Sequence, residues 1–283
     1  MKTGFIGIGN MGGALMSSYA TALDTPRTTE NAPAGAETSD SIMICDLDHD
    51  VCTKYEEEYD HISIAKSIED LADECDVIVA GVKPQGMAPV MEKIAEVYRP
   101  DKLLISMAAG ISIDWIKDHL GDDARIIRIM PNTPAQVGEA MIALCRGDNV
   151  EDDDMQKAVK VLGPAGVIEE VTEDQIDCVI GVSGSSPAYT YMYIEALVDA
   201  AVANGMEEDK ARVFAAQSVL GAAKMVLESP ESISQLRINV CSPGGTTIEA
   251  VNKLEENGFR DKIAEGLQAA VDRSIEMTKE AKK

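Results

Sequence analysis

The chain has 283 residues, 45% of them hydrophobic and only 4% aromatic, with a formal charge of −24 at pH 7. That length allows two domains with cores of their own. A surface so acidic repels phosphate backbones and anionic lipid, which argues against nucleic-acid and membrane partners.

Residues 3–8 read as a short apolar strand that runs into Gly7-Ile8-Gly9-Asn10-Met11-Gly12-Gly13, after which a helical pattern continues to about Ala22. A GxGxxG placed between a strand and a helix is a dinucleotide-binding turn: Gly7 for the turn, Gly9 for close approach of a pyrophosphate, Gly12 for helix–strand packing. A plain glycine turn is the competing reading. The acidic residue that should end the second strand arrives late, at Asp46 after residues 41–45, because the Pro- and Thr-rich residues 25–39 look like an insertion. With that stretch removed the spacing is restored, and Asp46 is expected at the adenosine ribose, with Asp48 adding charge or capping a helix.

Strands expected at 76–81, 103–106 and 125–130 end in Val82-Lys83-Pro84, Met107-Ala108-Ala109-Gly110 and Pro131-Asn132-Thr133-Pro134. Helices expected at 85–98 and 113–120 make the crossovers. Short apolar strands joined by helices imply an α/β fold with a doubly wound, mostly parallel sheet, whose carboxyl edge binds the dinucleotide. The cofactor set expected on that edge is Ile6 to Gly12, Asp46, Val82, Lys83, Pro84, Met107, Ala108 and Ala109. Lys83 reads equally well as a solvated loop lysine.

A further strand (137–145), a helix (153–162) and a last strand (166–170) precede a change of pattern; the domain boundary is expected at Gly163-Pro164, giving domains 1–163 and 164–283. From Glu173, itself read as a helix cap, nearly everything is helical. The helices 189–204 and 209–227 carry too many apolar residues for one face, so a second subunit is expected to bury them.

Between two of these helices lies Asn239-Val240-Cys241-Ser242-Pro243-Gly244-Gly245-Thr246-Thr247. Pro243 stops one helix, the glycines turn the backbone, and the threonines open the next. This is either a receptor for a small carboxylate, built on free N–H groups and a positive dipole end, or a tight interhelical turn with a Thr cap. Six cysteines and three histidines show no CxxC or zinc spacing, so no metal is expected and a reducing, cytoplasmic setting is. No charged and apolar leader opens the sequence, and no apolar run approaches ~20 residues.

Together the motifs resemble the pyrroline-5-carboxylate reductases. The resemblance runs through Gly4-Phe5-Ile6-Gly7-Ile8-Gly9, Val82-Lys83-Pro84, Ala108-Ala109-Gly110, Met130-Pro131-Asn132-Thr133-Pro134, Ser183-Gly184-Ser185-Ser186-Pro187-Ala188, Leu220-Gly221-Ala222-Ala223-Lys224 and, most specifically, residues 236–254. It implies a Rossmann domain followed by an all-helical dimerisation domain, a homodimer or a larger assembly of dimers, and NADPH- or NADH-dependent reduction of 1-pyrroline-5-carboxylate to L-proline. Asp46 and Asp48 favour NADH. Carried onto this chain, the resemblance makes Thr247 Oγ the donor to the imine nitrogen. The N–H groups of Gly245, Thr246 and Thr247 bind the carboxylate, and Asn239, Val240 and Pro187 line the pocket.

Two features depart from the family pattern: Gly184-Ser185-Ser186-Pro187 where Gly-Ser-Gly-Pro is frequent, and the insertion at 25–39. The rival enzyme, a β-hydroxyacid dehydrogenase, uses a second-domain lysine, and none occurs between Val179 and Asn204. A non-catalytic dinucleotide sensor is the other alternative.

Overall fold

The computed structural model describes residues 1–24 and 40–281, so the expected insertion lies outside the described residues. Strand β1 (Lys2–Ile6) pairs in parallel with β2 (Ser41–Cys45) on one side, and β3 (Ile62–Ile64) continues the sheet beyond β2. On its other side β1 meets β4 (Val77–Ala80), followed by β5 (Leu103–Ser106) and β6 (Arg125–Met130), all parallel. Strand β7 (Ala140–Arg146) runs antiparallel to β6, and β8 (Gly166–Glu170) parallel to β7, completing the order β3-β2-β1-β4-β5-β6-β7-β8. The order reverses between β1 and β4, the switch point where doubly wound sheets open a crevice.

Alternation along the strands feeds two cores. Phe5, Ile42, Ile44, Val79, Ile105 and Ile127 pack on one face with helices α1 (Asn10–Asp24), α2 (His49–Glu58) and, after the crossovers, α6 (Asp152–Leu162). Ile6, Met43, Ile78, Ala80, Leu104 and Ile126 point the other way, onto α3 (Ile68–Glu74), α4 (Met87–Ala95) and α5 (Ile113–Leu120). The period of two is the strand's own, and burial on both faces explains why these segments read as unbroken apolar runs.

The chain forms two compact units, Met1–Gly184 with the stretch from Ala270 onward, and Ser185–Ala269. The boundary expected at Gly163-Pro164 falls inside the first unit. That turn leads into β8, which pairs with β7 from Ala140↔Gly166 to Leu144↔Glu170, so the chain has not yet left the sheet. The strand expected from 137 begins later, at Ala140, because a 3-10 turn (Thr133–Val137) comes first and ends at Gly138, φ +75°. After β8 come α7 (Ile176–Val179) and a π-helical turn (Ile180–Gly184).

The second unit is built from α8 (Ser186–Ala203), α9 (Glu208–Glu228), α10 (Ile233–Val240), α11 (Thr246–Glu256) and the first half of α12 (Phe259–Ala281). It has scarcely any core within one chain. No residue of α8 is buried, and in α9 only Ala211 and Ala215 are. Met192, Val213, Phe214 and Leu227 are 63–84% exposed. Helices this apolar are stable only when another surface covers them.

Candidate functional site

Four residues stand side by side where their strands end: Cys45 beside Ile6, Ile6 beside Ala80, Ala80 beside Ser106. Every loop expected to hold cofactor therefore leaves the sheet from one row. The backbone carries the ladder one step further, with Gly7 N–H donating to Cys45 O (2.8 Å) and Gly81 N–H to Ile6 O (2.7 Å).

The first loop fits a pyrophosphate. Gly7 turns the chain at φ +83°. A Cβ on Gly12 would lie 2.1 Å from Gly7 O, so helix α1 can close onto the strand only without one. A Cβ on Gly9, by contrast, would meet nothing within 4 Å. That open face lies where α1 begins, at Asn10, the end at which a helix's first N–H groups lack an intrahelical partner. Ile8 is buried, Asn10 exposed and Met11 half-buried.

Asp46 follows β2 as expected, and both of its carboxylate oxygens already accept backbone hydrogens. Ile8 N–H donates to Oδ2 at 2.7 Å and Asp48 N–H to Oδ1 at 3.0 Å. The residue thus ties the glycine turn to the end of β2. Asp48 is the N-cap of α2, accepting from Asp50 N (3.2 Å) and Val51 N (3.4 Å). Val82 is half-buried, Lys83 exposed, and Pro84 opens a 3-10 turn (Pro84–Gly86). Beyond β5, Met107 and Ala109 are half-buried and Ala108 is buried.

The other expected set lies in the second unit. Gly244 adopts φ +69°, and Gly245 is the N-cap of α11. Thr246 and Thr247 are therefore the first two helical residues rather than the cap. The expected Gly245 donor is engaged, because its N–H closes the turn on Ser242 O at 3.0 Å. The amides open to a carboxylate are those of the first helical turn, from Thr246 onward. Thr247 is half-buried and Thr246 exposed. Asn239 is exposed: its Nδ2 donates to Glu231 Oε2 and its Oδ1 accepts from Gln235 Nε2, both at 2.7 Å. Val240 is 64% exposed, and Pro187 lies in the first turn of α8.

Two residues near the carboxyl edge were not assigned from sequence. Asn132, 8% exposed, bridges Met141 N and Ser183 O. Arg128 is buried and ion-paired with Glu173, which also accepts the first amide of α5. Glu173 therefore holds another helix and another strand instead of merely capping its own. An arginine inside a strand of isoleucines was the available signal, since a buried cation requires a partner. Among the described residues no group of three His, Cys, Asp or Glu could hold a metal ion, and no helix is long and apolar enough to cross a membrane.

A GxGxxG turn on the switch point of this sheet, followed by a helical unit, defines an NAD(P)-dependent oxidoreductase. Residues 173–277 match the family model "Pyrroline-5-carboxylate reductase dimerisation", and residues 2–110 match "NADP oxidoreductase coenzyme F420-dependent". The chain is 39% identical over 278 residues to the pyrroline-5-carboxylate reductase of Escherichia coli K12 and 35% identical to that of Methanosarcina acetivorans, covering 98% of each partner in both comparisons. Among solved structures it is similar to the Coxiella burnetii pyrroline-5-carboxylate reductase (TM-score 0.86, 32% identity). It is also similar to the NADP-bound Plasmodium falciparum pyrroline carboxylate reductase (TM-score 0.81, 30% identity), with 98% of each chain covered in both cases. The chain belongs to the pyrroline-5-carboxylate reductase family, and its helical unit lies within the family's dimerisation domain.

Proposed function

We propose that the chain reduces 1-pyrroline-5-carboxylate to L-proline, the last step of proline biosynthesis, with the roles now given to its residues. The observation that carries this reading is the start of α11 at Thr246, two residues after the left-handed Gly244, in a chain that also carries the dinucleotide turn. A helix N-terminus with two threonines suits a small carboxylate beside a ring nitrogen.

The bound reduced dinucleotide supplies the hydride. Gly7, Gly9, Gly12 and the first amides of α1 would hold its pyrophosphate and Asp46 its adenosine ribose. Residues 82–84 and 107–109 would line the rest. Thr246 and Thr247 N–H bind the substrate carboxylate, and Asn239, Val240, Gly245 and Pro187 shape the pocket. Thr247 Oγ donates to the imine nitrogen; being neutral, it meets an iminium or a product amine without repulsion. A protonated cyclic imine already draws hydride to its carbon, so orientation is the protein's main contribution. Membership of the family sets aside the β-hydroxyacid dehydrogenase and sensor alternatives.

NADH is the preferred cofactor in this reading. Each Asp46 oxygen accepts one backbone hydrogen and retains a lone pair for a ribose hydroxyl. A 2′-phosphate there would face two carboxylates, those of Asp46 and Asp48. The working unit is a homodimer or an assembly of dimers, and the six free cysteines suit a cytoplasmic, reducing setting. Steady-state reduction of the imine with each cofactor tests the proposal: turnover with higher kcat/KM for NADH is expected. No turnover would sink the reaction, and a clear NADPH preference would sink the cofactor choice alone.

A further inference from the structure

Strand β6 ends at Met130, and the loop after it begins Pro131-Asn132-Thr133-Pro134. Asn132 precedes the 3-10 turn Thr133–Val137 with extended backbone (φ −129°, ψ 167°), the position of a capping residue, yet its side chain makes no cap hydrogen bond. An asparagine so placed ordinarily bonds to its own turn. Here its amide is committed elsewhere: Met141 N–H donates to Oδ1 at 2.9 Å, and Nδ2 donates to Ser183 O at 3.1 Å. Asn132 is 8% exposed, so little water is at hand to replace either bond if it is lost.

Ser183 belongs to the π-helical turn Ile180–Gly184, where the wider winding shifts the backbone register by one residue, a feature frequent at functional sites. Ser183 Oγ donates to Val179 O at 3.2 Å, so the serine's hydroxyl faces back along the helix. Its carbonyl is fixed from the side by Asn132. Four residues further along the chain is Pro187, whose ring sets φ and which the proposed function places in the pocket wall.

On the other side, β6 is the strand next to β5, with Ser106 beside Arg128 in the ladder, and β5 leads into Met107-Ala108-Ala109. One amide therefore fixes the exit loop of β6 and the turn from which residues 185–187 depart. Only a side chain with an acceptor and a donor on one carbon can satisfy both partners.

We infer that Asn132 is a positioning residue for imine reduction: it sets the Ser183 turn, and through it the Ser185-Ser186-Pro187 segment, without touching the reacting atoms. The inference rests on the reaction proposed above. Asn132→Asp is the sharpest test, because it is isosteric, keeps an oxygen for Met141 N–H, and replaces the donor to Ser183 O by a second acceptor, with a negative charge that the uncharged Asn132→Ala controls for.

The expected result is a folded Asn132→Asp enzyme whose dinucleotide Kd, read by nicotinamide fluorescence, matches the parent. Its KM for the imine should rise and its kcat/KM fall about tenfold or more, as loss of orientation predicts. Asn132→Ala, which leaves both backbone partners unpaired, should show the same split at equal or greater size. Imine kcat/KM within twofold of the parent in Asn132→Asp would overturn the assignment. So would a loss of dinucleotide affinity equal to the loss of kcat/KM, or failure of both variants to fold, since each makes Asn132 a fold residue only. A parent without turnover on the imine is a different result: it removes the proposed reaction before Asn132 is tested.

Discussion

Glu173 Oε1 lies 2.8 Å from Arg128 Nη1 and also accepts the Ile113 N–H at 2.9 Å, so one carboxylate joins β6, the start of α5 and the segment after β8. Arg128 is 4% exposed, and the ion pair is what makes a guanidinium tolerable inside the sheet. Glu173→Ala leaves that charge buried and uncompensated, and should cost about 3–5 kcal/mol. Arg128→Met with Glu173→Gln removes both charges and should recover much of the loss. Urea unfolding at fixed chain concentration measures both; a loss below about 1 kcal/mol in Glu173→Ala would show that water already solvates Arg128.

Two glycines of the same motif should fail in different ways. Gly12→Ala puts its Cβ 2.1 Å from Gly7 O and forces strand and helix apart, so the fold itself should suffer. Gly9→Ala meets no atom within 4 Å and should leave the melting temperature near the parent's. Its methyl occupies the space proposed for the pyrophosphate, so dinucleotide Kd should rise about tenfold or more. Unchanged dinucleotide affinity in Gly9→Ala would place the pyrophosphate elsewhere.

Thr247→Val keeps the shape and removes the hydroxyl. A hydrogen bond to a charged group contributes about 1.5–3 kcal/mol, and at ~1.4 kcal/mol per decade kcat/KM should fall roughly ten- to a hundredfold. Thr246→Val should act mainly through KM, as its proposed role is at the carboxylate. Thr247→Val rates within twofold of the parent would mean that water or another group serves the nitrogen.

Alkaline pH should loosen the first unit. Burial pushes the Cys75 thiol up to about 12, the Cys145 thiol to about 11 and the Tyr98 phenol to about 12. The unfolded chain releases these protons from about pH 9 upward, while the folded chain holds them, so stability falls as pH rises toward 11 to 12. Lys102, whose pKa burial lowers, works in the opposite direction over part of that range. Tyr98 also donates to Lys102 O and accepts from Arg125 N. Tyr98→Phe should be less stable at neutral pH but show a shallower alkaline decline, by about 1.4 kcal/mol between pH 8 and pH 11. Unfolding free energies at pH 8 and pH 11 check it, and equal declines in both proteins would refute it.

The dinucleotide turn was readable because its constraints are local: three glycines, each with a separate steric task, between a strand and a helix. The position of Asp46 just after β2 was found by spacing once residues 25–39 were set aside, but its use as an acceptor for Ile8 N–H was not, since contact across 38 residues leaves no mark in the pattern. Strand β3 escaped because Ile62–Ile64 is only three residues long and is held by pairing with β2 rather than by its own periodicity. Residues 183–187, read from the sequence as a motif of the resemblance, are a π turn passing into α8, an irregularity of winding that composition does not reveal. Gly245 read as a donor for substrate, yet a turn closed by its own N–H is decided by φ and ψ at Gly244, which the sequence only permits.

The shortage of buried residues in α8 and α9 has a kinetic consequence. A chain whose helical unit is covered only by a second copy cannot complete folding alone, so its final folding step is bimolecular. Refolding yield then depends on chain concentration, with dilute chains waiting longer in an adhesive half-finished state. The −24 charge opposes each encounter at low ionic strength and keeps unfinished chains apart from one another. Salt therefore sets the balance between assembling slowly and clumping, and the same screening that speeds correct pairing also speeds the wrong kind.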